Sequence, residues 1–227
     1  MKINTVFFDL FFTLITLDYS YDNIEDYEFT ALGITKGKWD QIENETYKER
    51  ATGKTNTPLE MMEYIVKDLG IEPMRIEKAV EKRIGRIQRG ITKCDNGTFT
   101  IVSGLHKKGM KTCLISNCDI LDKYVIAKMN LNKYFDDVIL SYDVGIMKPD
   151  SGIYELALER TKSKPDNCLF VGDGGNNELL GAKRVGIKTV LTIQYIKDLW
   201  KEKIPELREN ADYVINDLSE INGIVDV

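Results

Sequence analysis

Short apolar runs rich in β-branched and aromatic residues alternate along this chain with longer stretches in which apolar residues recur at helical spacing. The apolar runs predict strands at residues 5–8, 112–115, 137–140, 168–171, 189–192 and 213–215. The stretches between them predict helices, among others at 119–129, 152–160 and 178–185. The strands are apolar along nearly their whole length. This alternation therefore predicts an α/β fold, a Rossmann-like parallel sheet with helices on both faces.

One connection is far longer than a crossover between parallel strands requires, because roughly a hundred residues separate the first predicted strand from the second. Within it, Thr57, Pro58 and Glu60 form a typical helix start, with a capping hydroxyl, a proline in the first turn and a following acid. Two apolar stripes at helical spacing follow this start. We therefore predict an α/β core formed by residues 1–14 and 93–227, with an all-helical cap domain inserted at residues 15–92.

The composition, with 43% apolar and 30% charged residues, is that of an ordinary globular protein. The net charge is −5 and no block of lysines and arginines is present, so we expect no nucleic-acid partner. No apolar stretch approaches the ~18 residues that a membrane span needs. The first strand also begins too early to leave room for a signal peptide. We expect a cytoplasmic protein without a membrane segment.

Polar residues stand where four predicted strands end or shortly after, at the edge where open α/β sheets bind ligands. In chain order they are Asp9, Ser116 with Asn117, Lys148 and Asp173. A buried carboxylate is costly unless it is paired, bound to a metal or used in a reaction. The single histidine of the chain lies in a polar G-L-H-K-K-G segment that indicates a solvated helix face. We therefore expect chemistry based on carboxylates, lysine, hydroxyl groups and a metal.

The motifs V-F-F-D-L-F-F-T-L, L-I-S-N-C-D, G-I-M-K-P-D and G-D-G-G-N-N-E together resemble those of the haloacid dehalogenase-like hydrolase superfamily. The similarity is to the subgroup with a helical cap between the first and second motifs. It covers essentially the whole chain, although in the cap it rests on length and helicity alone. It implies that Asp9 is a nucleophile that forms an aspartyl-phosphate. Ser116 and Asn117 would then hold phosphoryl oxygens, with Lys148 as the fixed positive charge.

The same resemblance implies a Mg²⁺ cofactor. Its ligands would come from Asp9, the backbone carbonyl of Phe11, Asp173 and Glu178, and hard oxygen atoms of this kind suit Mg²⁺. Glu178 stands where aspartate is usual in the family. Because its side chain is longer, we expect it to act through a water rather than directly.

Phe11 departs from the pattern of the family's phosphatases, which carry an acid two residues after the nucleophile. That acid protonates the leaving group and then activates water, and such catalysis contributes roughly 10²–10⁴-fold. Phenylalanine can do neither. Phe12, where glycine is common, adds a second ring, so we expect a drier and narrower site.

Three functions stay open. The first is a Mg²⁺-dependent phosphatase for a small phosphorylated molecule, whose proton comes from the cap or the substrate, or whose leaving group needs none. The second is a 2-haloacid dehalogenase-type enzyme, which works without metal and also lacks the second acid. The third is a non-catalytic protein that binds phosphate or a partner. Asp173 and the motif around it favour the first, because dehalogenases place small hydroxyl residues there.

The cap is expected to select the substrate. By analogy, the loop at residues 51–56 dips toward Asp9, which would bring Lys54 to an anionic group of the substrate. A solvated turn is an equal alternative for this loop. Nothing in the sequence identifies the substrate or the oligomeric state.

Overall fold

The computed structural model describes residues 2–16, 24–93 and 97–226. It confirms the predicted α/β fold. Its described residues contain a sheet of six strands: β1 (Thr5–Phe8), β2 (Lys111–Ser116), β3 (Asp137–Leu140), β4 (Cys168–Gly172), β5 (Lys188–Thr192) and β6 (Tyr213–Ile215). All neighbours are parallel and the strand order is β3-β2-β1-β4-β5-β6. Each strand lies within one residue per end of its predicted range.

Helices cover both faces of the sheet and fill the long connection. They are α1 (Glu28–Leu32), α2 (Lys36–Ala51), α3 (Pro58–Val66), α4 (Pro73–Lys93), α5 (Gly97–Lys107), α6 (Ile120–Ile126), α7 (Ser141–Val144), α8 (Ser151–Thr161), α9 (Glu178–Arg184), α10 (Ile196–Leu199), α11 (Ile204–Glu209) and α12 (Ile221–Val225). Short 3₁₀ segments occur at Ile24–Asp26, Ala127–Met129, Leu131–Lys133, Pro165–Asn167, Gly175–Asn177, Lys201–Lys203 and Leu218–Glu220. None of the helices in the described ranges is long and apolar enough to cross a membrane.

The central strand β1 carries apolar side chains to two separate cores. Phe8 packs into the core on one face of the sheet, and Phe7 packs into the core on the other. Because successive side chains of a strand point to opposite faces, a strand covered by helices on both sides must be apolar throughout. Phe8 is in register with Leu114 of β2 and Val171 of β4. The residues that follow these three strands therefore meet at one edge of the sheet.

The insertion between β1 and β2 is helical, and its helices α1–α4 form a third apolar core that also includes Leu121 and Val125 of α6. Helix α3 begins as its sequence predicts, with the Thr57 hydroxyl accepting a hydrogen bond from the Glu60 N–H at 3.1 Å. The Glu60 carboxylate accepts from the Asn56 N–H at 2.7 Å. The predicted cap limits at 15 and 92 remain predictions. Residues 17–23 and 94–96, next to these limits, lie outside the described residues.

Candidate active site

Asp9 is held rigidly just past the end of β1. Its backbone N–H donates to the carbonyl of Val171 at 2.9 Å, which extends the pairing of β1 with β4 by one residue. The whole residue is only 6% exposed relative to its accessible maximum. One carboxylate oxygen, Oδ1, accepts a hydrogen bond from Lys148 Nζ at 2.5 Å, and the other, Oδ2, accepts from the hydroxyl of Thr13 at 2.9 Å. The carboxylate is thus paired and oriented before any ligand binds.

Lys148 is the positive centre of the site. Its Nζ also donates to Glu178 Oε2 at 2.6 Å, so one buried ammonium group is shared by two carboxylates. Burial alone lowers the pKa of Lys148, but Asp9 and Glu178 raise it above its ordinary value, so the side chain stays charged. Asn117 fixes its backbone: the Asn117 amide group donates to the Lys148 carbonyl at 2.9 Å and accepts from its N–H at 2.8 Å.

Asp173 and Glu178 are placed by the loop that follows β4. The N–H of Gly175 donates to Asp173 Oδ1 at 3.1 Å, and the N–H of Gly174 donates to Glu178 Oε1 at 3.1 Å. The Glu178 carboxylate also lies against the backbone of Gly172. A Cβ at position 172 would come within 2.1 Å of Glu178 Oε1, so only glycine leaves room for this contact. Glycine backbone atoms therefore set the direction of both acids.

These carboxylates repel one another. Burial and the nearby Asp9 carboxylate raise the pKa of Asp173 to about 6, and the same two causes raise the pKa of Glu178. Asp9, Asp173 and Glu178 each place one oxygen within 4.8 Å of the oxygens of the other two. Fully ionised, the three carboxylates beside a single lysine would carry a local charge of −2, and the raised pKa values reflect this excess of negative charge. A divalent cation with hard oxygen ligands matches this charge and these donors, so the residues fit Mg²⁺.

Phe11 and Phe12 lie in the turn that leads away from Asp9. Phe11 is half-buried and packs against two of the three apolar cores. Phe12 has a φ of +62°, in the left-handed region that is unfavourable for a residue with a side chain. Its ring meets the ring of Trp200 edge-on, with 4.7 Å between centroids. Ring packing thus offsets a backbone conformation for which glycine is better suited.

A cavity of about 650 Å³ opens above these residues. Asp9, Lys148, Asp173 and Glu178 lie in its lining, together with Asn117. Aromatic and aliphatic side chains form one part of the wall: Phe11, Phe12, Ile196, Trp200 and Leu207. The helical insertion contributes Glu43, Asn44, Tyr47 and Arg83. The cavity therefore lies between the sheet edge and the insertion.

Most of the residues predicted for the site meet here, but two lie apart from the cavity. Ser116 is fully buried at the end of β2, with its hydroxyl 3.4 Å from the Asn117 carbonyl, and is not part of the cavity lining. Lys54 is 55% exposed, with its Nζ 4.0 Å from Glu49. Its loop docks on the core elsewhere, because the Tyr142 hydroxyl donates to the Thr55 carbonyl at 2.6 Å. The structure does not bring Lys54 to the cavity.

Sequence reasoning missed Thr13 and the polar residues of the insertion that face the cavity. The signal for Thr13 was a hydroxyl residue four positions after Asp9 in an otherwise apolar run. Arg83 and Glu43 gave no such signal, because charged residues on amphipathic helices are usually solvated.

A family model for haloacid dehalogenase-like hydrolases matches residues 3–186, which include every strand-end residue of this site. The chain belongs to this family. The match agrees with the resemblance seen in the four motifs.

Similar proteins of known name or structure include phosphatases and dehalogenases. A glyceraldehyde 3-phosphate phosphatase of Pyrococcus furiosus is 32% identical over 123 residues, which are 54% of this chain and 50% of that protein. This chain thus spans about half the length of the curated relatives it matches first. A HAD family enzyme of Bacteroides thetaiotaomicron has a similar fold, with a TM-score of 0.70 and 19% identity over 90% of this chain and 99% of that chain. The same enzyme has been crystallised as a magnesium complex. An L-2-haloacid dehalogenase of Xanthobacter autotrophicus has a TM-score of 0.63 and 18% identity, over 99% of this chain and 98% of that chain.

Proposed function

We propose that this protein is a Mg²⁺-dependent phosphatase that acts on a small phosphorylated molecule through an aspartyl-phosphate on Asp9. The observation that carries the proposal is the buried group formed by Asp9, Lys148, Asp173 and Glu178 at the edge of the sheet. A cluster of charges this deeply buried costs stability, so its presence favours a use in binding or catalysis. The phosphatase names among the relatives, such as that of Pyrococcus furiosus, support the same chemistry.

In the first step, a carboxylate oxygen of Asp9 attacks phosphorus, and the bond from phosphorus to the leaving-group oxygen breaks. In the second step, water attacks phosphorus, the bond to Asp9 breaks, and inorganic phosphate leaves. Lys148 is placed to offset the charge of the phosphoryl oxygens throughout. Thr13 keeps the Asp9 carboxylate oriented. Asn117 lines the cavity next to Lys148, and we keep it as the proposed phosphoryl-binding residue. Ser116 is buried outside the cavity lining and is left out of this proposal.

Asp9, Asp173 and Glu178, with the backbone carbonyl of Phe11, would hold the Mg²⁺ ion. When bound, Mg²⁺ supplies positive charge beside a phosphoryl group and compensates the crowded carboxylates. Without it, the local charge of −2 would repel a phosphate dianion. Glu178 already bonds to Lys148, so its oxygens are placed by the fold itself.

Because residue 11 is phenylalanine, no acid at that position can protonate the leaving group. An acyl phosphate releases a carboxylate and a phosphoanhydride releases a phosphate. Both leaving groups are stable anions that need little protonation, so such substrates fit the ring of Phe11 best. The half-buried ring in the cavity wall also fits the metal-free dehalogenase alternative. Three carboxylates around one lysine argue against that alternative, because they would repel a 2-haloacid carboxylate.

The test is a paired assay on the purified protein. Phosphate release from acetyl phosphate and from alkyl phosphates is measured with Mg²⁺ and with EDTA, beside chloride release from 2-chloropropionate. We expect phosphate release that depends on Mg²⁺, and we expect Asp9→Asn to abolish it while the thermal unfolding temperature changes little. Asp143→Asn, which removes an exposed partner of Lys123, is the matched control and should stay active. Metal-independent chloride release, or full activity of Asp9→Asn, would refute the proposal.

A further inference from the structure

Among the described residues, three basic side chains line the cavity, and acids of the protein already engage two of them. Lys148 is shared between two buried carboxylates. Arg83 Nη1 donates to Glu43 Oε1 at 2.9 Å. The third, Lys203, is exposed and forms no ion pair with any carboxylate of the described residues. An incoming anion can therefore approach Lys203 without displacing a carboxylate of the protein.

Lys203 belongs to the α/β core and not to the insertion. It ends the 3₁₀ segment Lys201–Lys203, and its backbone N–H donates to the Trp200 carbonyl at 3.0 Å. Its Nζ lies 5.3 Å from the centroid of the Trp200 ring, within the range of a cation–π contact. The same ring meets Phe12, three residues after Asp9, edge-on. A row of contacts thus leads from the turn after Asp9 to Lys203.

The segment that carries Lys203 is also packed on the loop of Asp173. Leu207 of α11 lies so close to Gly174 that a Cβ on this glycine would come within 2.8 Å of Leu207 Cδ2. Gly174 also has a φ of +86°, which favours glycine for a second reason. Both Lys203 and Leu207 line the cavity. This packing holds the start of α11 in the cavity wall, while the Lys203 side chain stays exposed.

The chemistry of Lys203 indicates the kind of group that it can receive. An ammonium group donates three hydrogen bonds and accepts none, so it suits an anion better than a neutral ligand. In the proposed reaction Lys148 already serves the transferred phosphoryl group, which leaves Lys203 for a different anionic group. Every part of the substrate other than the transferred phosphoryl group belongs to the leaving portion. The second anionic group therefore belongs to the leaving portion.

Taking the phosphatase function above as given, we propose that Lys203 binds an anionic group, a carboxylate or a phosphate, on the leaving portion of the substrate. The substrate then has two anionic ends, the phosphoryl group at Asp9 and the second group at Lys203. The proposal selects among acyl phosphates and phosphoanhydrides, and it makes a residue of the α/β core a specificity determinant. The bond from phosphorus to the leaving-group oxygen breaks as described above, and Lys203 keeps its proton throughout.

The experiment measures kcat/KM with Mg²⁺ for three substrates: acetyl phosphate, succinyl phosphate and pyrophosphate. Succinyl phosphate adds a carboxylate to the leaving portion of acetyl phosphate, and the leaving portion of pyrophosphate is itself a phosphate. In the parent, at least one of these two should have a lower KM than acetyl phosphate. Lys203→Met should lower its kcat/KM relative to that of acetyl phosphate by about 5- to 20-fold, mainly through KM, because an ion pair is lost. The substrate that loses this preference identifies the second group as carboxylate or phosphate.

Two further measurements test whether charge causes the preference. Raising the ionic strength from about 0.05 M to about 0.5 M should remove most of the parent's preference, because salt screens exposed charges, and should change the ratio in Lys203→Met far less. Glu206→Gln removes an exposed carboxylate from the same wall, so it should raise the preference. A merely structural role of Lys203 would produce neither result.

Lys201→Met is the matched control. Lys201 begins the same 3₁₀ segment and is exposed, but it does not line the cavity. The substitution removes the same charge from the protein two residues away, so all three rates should stay unchanged.

Two results for Lys203→Met overturn the proposal. One is an equal change on all three substrates, and the other is an unchanged ratio for both succinyl phosphate and pyrophosphate. In either case, hydrolysis of acetyl phosphate by the parent still supports the phosphatase function. A parent protein that is inactive on all three substrates would overturn that function, and this proposal with it.

Discussion

Replacing Phe11 with aspartate tests whether this position limits the reaction by lacking an acid. The matched variant is Phe11→Asn, which has the same size as the aspartate variant but cannot act as an acid or base at neutral pH. Both variants lose the packing of a half-buried ring. Full burial of such a side chain stabilises a protein by about 1.5–3 kcal/mol, so each variant should lose roughly half of that. Since the loss is common to both, it cancels in their comparison.

What remains is the chemistry of one positioned carboxyl group. General acid–base catalysis contributes roughly 10²–10⁴-fold, which corresponds to about 3–5.5 kcal/mol of activation free energy. We expect Phe11→Asp to exceed Phe11→Asn by a factor in this range on an alkyl phosphate, whose alkoxide leaving group needs a proton. On acetyl phosphate, whose leaving group is a carboxylate, the two variants should differ far less.

The assay is kcat/KM for phosphate release from both substrates at saturating Mg²⁺, with the thermal unfolding temperature of each variant measured alongside. Equal rates for the aspartate and asparagine variants on the alkyl phosphate would refute the reasoning. The same factor on both substrates would also refute it, because an effect that ignores the leaving group is not proton donation.

Two further predictions concern the contact between the insertion and α6. Arg50 and Asp119 form a fully buried ion pair, so Arg50→Met should lower the free energy of unfolding by about 3–5 kcal/mol. Adding Asp119→Asn should restore part of the lost free energy of unfolding, measured by urea titration, because asparagine also caps α6. A loss below about 1 kcal/mol in Arg50→Met alone would contradict the prediction. Burial and the Asp119 carboxylate raise the pKa of Asp122 from 3.8 to about 7, so the folded state retains a proton that the unfolded state has released. The parent should therefore lose stability as the pH rises from about 4 to about 7. Over the same interval the free energy of unfolding of Asp122→Asn should increase relative to that of the parent. A difference between the two proteins that does not change with pH would contradict the raised pKa of Asp122.

The sheet and the location of the site follow from local sequence patterns, without knowledge of how distant segments pack. A strand buried on both faces needs a continuous apolar run, so the six runs could be recognised one at a time. The residue after each run lies at the carboxyl edge of a parallel sheet whatever the details of packing. For this reason Asp9, Asn117 and Asp173 could be assigned to one cavity before any coordinates were considered, whereas Lys148, eight residues after β3, was assigned there by its motif.

The contacts within the site depended on tertiary structure. That Glu178 holds the metal through a water stays a prediction. Its hydrogen bond to Lys148 was not foreseen, and it forms because Gly172 leaves room for the carboxylate and the Gly174 N–H orients it. For Lys54 the sequence left two alternatives, a place at the cavity or a solvated turn; in the structure its side chain is 55% exposed and its loop docks on Tyr142.

Local pattern decides which residues form a strand and where it ends, and in this protein that determined the fold and the position of Asp9, the proposed nucleophile. The composition of the wall above Asp9 was decided only when α2, α4 and α6 packed together. Arg83, Glu43 and Asp122 are far apart in sequence, and their side chains meet through a three-helix contact that no periodicity within a single helix encodes.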